Sequence, residues 1–259
     1  MSMRYTFHGV VLPERAQSGT VSGFTLHSEP LVGEASVSIR VEISNAQLAV
    51  IVEDEGTGLD VWTLKNSVES VARRFVDTLG FFNFASYDVE IRSAILPDGT
   101  LVVFGVGHDD LTAFGRPLLS ASGLTELDVL QVLTFDTPAH LALADLREGN
   151  RSPDDTGFFC FRAVESIRQA FVNCDLKQDK RDGASWTTLR RALRLERTFF
   201  ERLQTFALPR RHGALVNLTG EDRTGLLKNA WTVVFRYIML RKFGLPDLPE
   251  DDAHYPVLK

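Results

Sequence analysis

The chain has 259 residues, 44 % of them hydrophobic and 24 % charged, with a formal net charge of −6. These proportions are those of an ordinary soluble globular protein with room for two modest domains. No apolar run approaches the roughly 20 residues that span a bilayer, and Met1-Ser2-Met3-Arg4-Tyr5 lacks the apolar centre of a signal peptide, so a cytoplasmic chain with no membrane partner is expected. Charge is unevenly shared. Residues 157–243 hold 17 Lys and Arg against 8 Asp and Glu, a net of +9, which leaves −15 for the rest. Such asymmetry points to two parts with different partners, or to two parts that attract each other.

The first part reads as strands. Residues 4–12 and 21–26 are short β-compatible runs separated by a Pro/Gly/Ser turn region, and residues 35–52 alternate through Val37, Ile39, Val41 and Ile43, then Leu48, Val50 and Val52. Asn45-Ala46-Gln47 between the two series predicts a hairpin turn or bulge. The period then changes to that of a helix, with Leu64, Val68, Val71, Phe75 and Leu79 on one stripe and Gly80 as its C-cap. Strands over 87–95 and 100–106 follow, joined by Leu96-Pro97-Asp98-Gly99, where proline and glycine suit a type I turn. Residues 1–124 are thus expected to form an α+β module, a small antiparallel sheet with one packed helix. Residues 107–124 read as a Gly/Pro/Ser-rich loop. Residues 125–136 form a connector in which 126–135 suits either a buried helix or a strand.

From Thr137 onward the pattern is helical throughout, with elements expected over 137–147, 157–174, 185–206 and 221–243. Thr137-Pro138 opens the first, since proline is favoured in a first turn. Cys160, Val164, Ile167, Phe171 and Cys174 share one face of the second. The two thiols would lie about 21 Å apart along it at 1.5 Å per residue, too far to pair, and both read as small core side chains. Trp186, Leu189, Leu193, Phe200 and Leu203 mark the third element, which Pro209 is expected to end. Thr219 and Asp222 open the fourth, and Gly244 with Pro246 stops it. Residues 175–183 read as an exposed charged loop, and 244–259 as an extended acidic, Pro-rich tail.

Two basic features stand out. Arg190, Arg194 and Arg197 fall at i, i+4 and i+7 of the third element, a stripe suited to RNA phosphates. Arg210, Arg211 and His212 form a knot between the third and fourth elements, where guanidinium groups beside an imidazole could hold a phosphate and move a proton. The bland reading is a solvated or internally paired face for the first, and an ion-paired, backbone-bonded turn for the second.

Phe158 to Ile167, with the order aromatic, Arg162, aliphatic, Glu165, resembles the second helix of HEPN-like domains. Trp186 to Phe206 resembles their third helix, and Arg211-His212-Gly213 before the long last helix resembles their Arg/His turn. The resemblance covers about residues 137–243. It implies a four-helix up-and-down bundle that usually dimerises, and in many prokaryotic members a metal-independent RNase of toxin or antiphage systems. It further implies Arg211 and His212 as the catalytic pair, with Glu165 and Arg162 as supporting residues. The family's arginine, four to six residues, then histidine is not intact here, because the matching positions hold Thr205, Phe206 and Ala207. The first reading is therefore a HEPN-like binding and dimerisation protein that contacts RNA through Arg190, Arg194, Arg197 and Arg210. The second is a HEPN-type RNase effector with a variant motif, and the third a structural partner with no nucleic-acid role.

No cofactor and no metal are expected. His108-Asp109-Asp110 has no second cluster to complete an ion site, and Gly105-Val106-Gly107 lacks the third glycine of a dinucleotide loop. A homodimer through the helical half is expected, because Trp231, Phe235, Met239 and Leu240 are more apolar surface than one bundle face needs. Glu165, on the edge of its helix, is expected to pair with Arg211.

Overall fold

The computed structural model describes residues 3–13, 21–30, 36–54, 56–105, 109–173, 177–214, 216–249 and 255–259, and of residues 21–30, 36, 178, 179 and 181 the backbone alone. The architecture is α+β: an antiparallel sheet with a helix, followed by a helical region. The chain divides into two compact units, Met1–Gly107 with Asn217–Gly220, and His108–Val216 with Glu221–Lys259.

Among its described residues the first unit holds six strands, β1 (Met3–Leu12), β2 (Val21–Pro30), β3 (Ser36–Ser44), β4 (Gln47–Asp54), β5 (Asp88–Ile95) and β6 (Leu101–Val103), in the sheet order β2-β3-β4-β1-β5-β6. All its pairings are antiparallel. Alternation decides the faces: Phe7, Ile39, Val41, Val50 and Val52 are buried, while Arg4, His8, Arg40 and Glu53 face out. The β3–β4 hairpin closes through Asn45 and Ala46, both at positive φ (48° and 63°), which is the two-residue turn whose twist matches the strands.

Helix α1 (Val61–Asn83) buries Leu64, Val68, Val71, Ala72 and Val76 against that core. It starts where the Asp60 carboxylate accepts the Trp62 and Thr63 amides at 2.9 and 3.0 Å. It does not stop at Gly80. The left-handed cap is Phe84 (φ 52°), and the carbonyl of Gly80 accepts the Ala85 amide at 3.0 Å. Gly80 is needed for a different reason, since a Cβ there would meet the Ala85 carbonyl oxygen at 2.5 Å.

The second unit contains α2 (Asp109–Ser122), α3 (Glu126–Phe135), α4 (Thr137–Arg151), α5 (Thr156–Gln169), α6 (Gln178–Ala192), α7 (Thr198–Arg211) and α8 (Gly220–Lys242). Two expectations are corrected here, and one alternative left open is settled. The 107–124 stretch is not a loop: residues 109–122 are helical, and Pro117 is tolerated inside α2. The ambiguous 126–135 run is a helix, fixed by a capping box in which Thr125 and Asp128 exchange side-chain-to-backbone hydrogen bonds. The expected helix over 185–206 is two helices.

The break centres on Arg194. Arg194 sits at φ 54° while the Leu195 amide donates to the Arg190 carbonyl at 2.9 Å, a left-handed helix end built on a non-glycine residue. Pro209 then lies within the last turn of α7 instead of before it. Its missing amide removes one hydrogen bond near the end of the helix, a short loss compared with a proline in mid-helix.

Helix α8 is buried along most of its length: Leu226, Leu227, Ala230, Val233, Val234 and Tyr237 are all at or below 2 % exposure, although polar residues interrupt its apolar faces. Trp231 stacks on Phe235 at 5.0 Å and meets Phe114 of α2 edge-on at 5.8 Å. Phe235, Met239 and Leu240 are thus covered within one chain. They do not supply the exposed surface from which a dimer was expected. Gly244 closes α8 at φ 61°.

Candidate functional site

The basic knot is built where the end of α7 meets α5. Arg210 Nε donates to Asp155 Oδ1 at 2.5 Å, and Asp155 precedes the first residue of α5. The Asp155 hydrogen bond holds the Arg210 guanidinium more firmly protonated than an ordinary arginine. Arg211 Nη1 lies 3.5 Å from Glu165 Oε1, with the two side chains 51 % and 26 % exposed. This is the pairing expected from the position of Glu165 on its helix, in a partly solvated form. His212 caps α7, its amide shared among the carbonyls of Leu208, Pro209 and Arg210, and it is exposed beside the pair. Arg162 contacts Asp145 on α4 at 2.5 Å and lies over the Phe158 and Phe159 rings at 5.7 and 5.3 Å. Asp145 is buried and also receives Ser166 Oγ at 3.4 Å.

The expected arginine stripe is not one helical face. Arg190 is on α6 and donates to Thr187 Oγ1 at 3.2 Å. Arg194 is in the turn, where its Nε donates to the Tyr255 carbonyl at 2.7 Å. Arg197 is exposed at the start of α7. The helix break separates what a continuous 3.6-residue period would have aligned. Arg194 is committed to the chain's own tail and Arg210 to Asp155.

Sequence reasoning missed three features. Arg223 of α8 is buried, with Nε donating to Thr156 Oγ1 at 3.1 Å and Nη2 to the Asn150 carbonyl. Thr156 Oγ1 in turn donates to the Gly149 and Ser152 carbonyls at 2.8 and 2.9 Å. Nothing in the spacing marks Arg223 as internal. Asp136 accepts the Ala139 amide at 2.9 Å, the Tyr237 hydroxyl at 2.8 Å and Arg241 Nε at 2.7 Å. Burial, then that hydrogen bond, pushes the Tyr237 hydroxyl pKa upward. Its position directly before Thr137-Pro138 was the available signal.

The third feature is the outer face of α3. Six of its ten residues are apolar and none is buried. Leu127 is 62 % exposed, Leu130 60 % and Phe135 87 %. No single helix among the described residues is long and apolar enough to cross a membrane. The α2–α3 pair, bent by 89°, meets that length and composition only when taken together.

Of the ion ligands considered, His108 lies outside the described residues, as does Cys174, and Asp109 and Asp110 open α2. Among the described residues no three His, Cys, Asp or Glu side chains form a metal group. Cys160 is buried against α4, where desolvation pushes its thiol up to about 12 despite the opposing influence of Arg223.

Residues 5–104 match a family model described as the N-terminal domain of DUF8168, a domain of unknown function, and residues 124–242 match the model of its C-terminal domain. The chain carries both DUF8168 domains, in order. No curated protein and no solved structure matches it. The DUF8168 C-terminal match begins at Leu124, so it takes in α3 and its capping box and runs to Lys242 at the end of α8.

Proposed function

We propose that this protein is a HEPN-like binding protein that pairs with a second copy through its helical half. One observation carries the reading: α3 holds Leu127, Leu130 and Phe135 at 60 % exposure or more, on a short helix that is otherwise firmly capped. Large apolar side chains grouped on one face mark an association surface. The contact of Glu165 with Arg211 next to His212, on helices in the order the family uses, supports the HEPN-like part. The test is sedimentation velocity on the whole chain and on a Leu127→Glu, Leu130→Glu variant. A dimer at micromolar concentration that the variant loses supports the reading, and a wild-type monomer throughout sinks it.

RNA contact is part of the same proposal, resting on the +9 net charge of residues 157–243. Arg197, exposed, and Arg190, whose Nη2 donates to Thr187 Oγ1 of its own helix, are the members of the expected set offered to phosphates, since Arg194 is tied to the Tyr255 carbonyl and Arg210 to the Asp155 carboxylate. Affinity for a mixed single-stranded RNA should then fall steeply with salt as counterions are released. A flat salt response would remove RNA and leave a protein–protein role.

The RNase reading is favoured by a different observation, the half-exposed Arg211 guanidinium beside an exposed His212. Cleavage of mixed RNA that disappears in His212→Ala would establish it, and intact RNA would rule it out.

A further inference from the structure

The last described residues do not trail away from the helical unit. The Leu248 amide donates to the Ala192 carbonyl at 2.9 Å, and Leu248 is 2 % exposed. Farther on, Leu258 forms a parallel bridge with Leu195: its carbonyl accepts the Glu196 amide at 2.8 Å and its amide donates to the Arg194 carbonyl at 3.2 Å. Tyr255 is buried, and its carbonyl accepts from Arg194 Nε.

Behind the bridge sits Arg236 of α8, buried, with no carboxylate against it among the described residues. Its Nη1 donates to the carbonyls of Leu193 and Arg194 at 2.9 and 3.0 Å, and Nη2 to that of Pro256 at 2.8 Å. One guanidinium therefore clamps the end of α6 to the tail. Arg194 has left the right-handed helical conformation, and its carbonyl and the Glu196 amide are the two main-chain groups turned toward the tail. Main-chain pairing plus one buried anchor side chain is how an extended peptide is recognised.

We infer that the α6–α7 elbow is an acceptor site for an extended C-terminal segment, filled here by the chain's own residues 255–259 and fitted to the same segment of a second copy. Every contact named above is made by residues that each copy carries, so exchange between copies loses none of them. The tail leaves α8 through Gly244 at positive φ and Pro246, which uncouples it from the helix. It is held by the bridge, by the Arg194 and Arg236 guanidinium contacts and by the buried Leu248 and Tyr255, so exchange requires a local opening of these contacts and not unfolding of the unit. The idea goes beyond pairing through α3 and does not depend on it.

The experiment uses the full chain with Glu196→Cys and Lys259→Cys, the next pair along the bridge, in a Cys174→Ser background. Cys160 is left in place because it is buried and stays protonated. After long incubation from low to high micromolar concentration, oxidation is followed by a non-reducing gel. Exchange gives a covalent dimer whose share rises with concentration, persists when Leu127→Glu and Leu130→Glu are added, and falls with Arg236→Gln. Should that last variant not fold, Tyr255→Ala is expected to give the same fall. A crosslink that is intramolecular at every concentration overturns the inference, and so does the absence of any crosslink. Loss of the dimer only with the α3 substitutions would support α3 pairing and reject tail exchange.

Discussion

Helices α8 and α3 are both rich in apolar residues, and they end in opposite places. α8 runs for 23 residues with helices around it, and even its polar members Arg223, Thr232 and Arg236 are buried with their hydrogen bonds satisfied. α3 is ten residues long and tied at its first turn, by Thr125 with Asp128 and by Lys242 Nζ at 2.9 Å from Asp128, while Leu127 and Leu130 remain exposed among the described residues. Apolar content alone does not say which helix is core and which is interface. What separates them is whether the topology supplies neighbours on every side, and that is decided by where the other helices turn.

The largest effect that would break this contrast lies in α8. Phe235→Ala removes a ring stacked on Trp231 and should lower unfolding stability by about 3–5 kcal/mol in urea titration. A loss near zero would mean that α8 is not the core. Asp136→Ala should cost about 2–3 kcal/mol by the same measurement, because it deletes a helix cap and leaves the Tyr237 hydroxyl without its buried acceptor.

A pH series sharpens the same point. The Cys160 thiol is raised from an ordinary 9 to about 12 in the fold, so the folded state prefers the neutral form. Its contribution is complete below pH 9 and is lost as pH rises toward 12, which the denaturation midpoint should follow and Cys160→Ala should blunt. On α3 the Thr125 hydroxyl and Lys242 hold the Asp128 carboxyl down at about 2. That contribution is present above the ordinary value near 3.8 and fades as pH falls toward 2.

Smaller still is Glu165→Ala. The pair with Arg211 is half in water, so stability should drop by less than about 1 kcal/mol. The double substitution Leu127→Glu, Leu130→Glu should change monomer stability by no more than about 0.5 kcal/mol, because neither side chain is in the core. A loss of several kcal/mol there would show that α3 is structural.

The strand alternation from Val37 to Val52, the helical stripe through Leu64, Val68 and Val71, and the cap at Gly244 were all legible, because each rests on local periodicity or backbone chemistry. The pairing of Glu165 with Arg211 was legible too, from helix phase and connection order. The α6–α7 break was not, since a left-handed Arg194 leaves no glycine to read and depends on Arg236, 42 residues farther along, to satisfy its carbonyl. The stripe of Arg190, Arg194 and Arg197 failed with it. Trp231 and Phe235 pointed to an exposed surface because the sequence hides Phe114, which arrives from a stretch that looks like loop.

The most direct test compares amide hydrogen exchange in α3 and α8 across protein concentration. Pairing through α3 requires the amides of residues 127–135 to slow as concentration rises while those of α8 stay constant. Exchange in α3 that is rapid and independent of concentration would contradict the account.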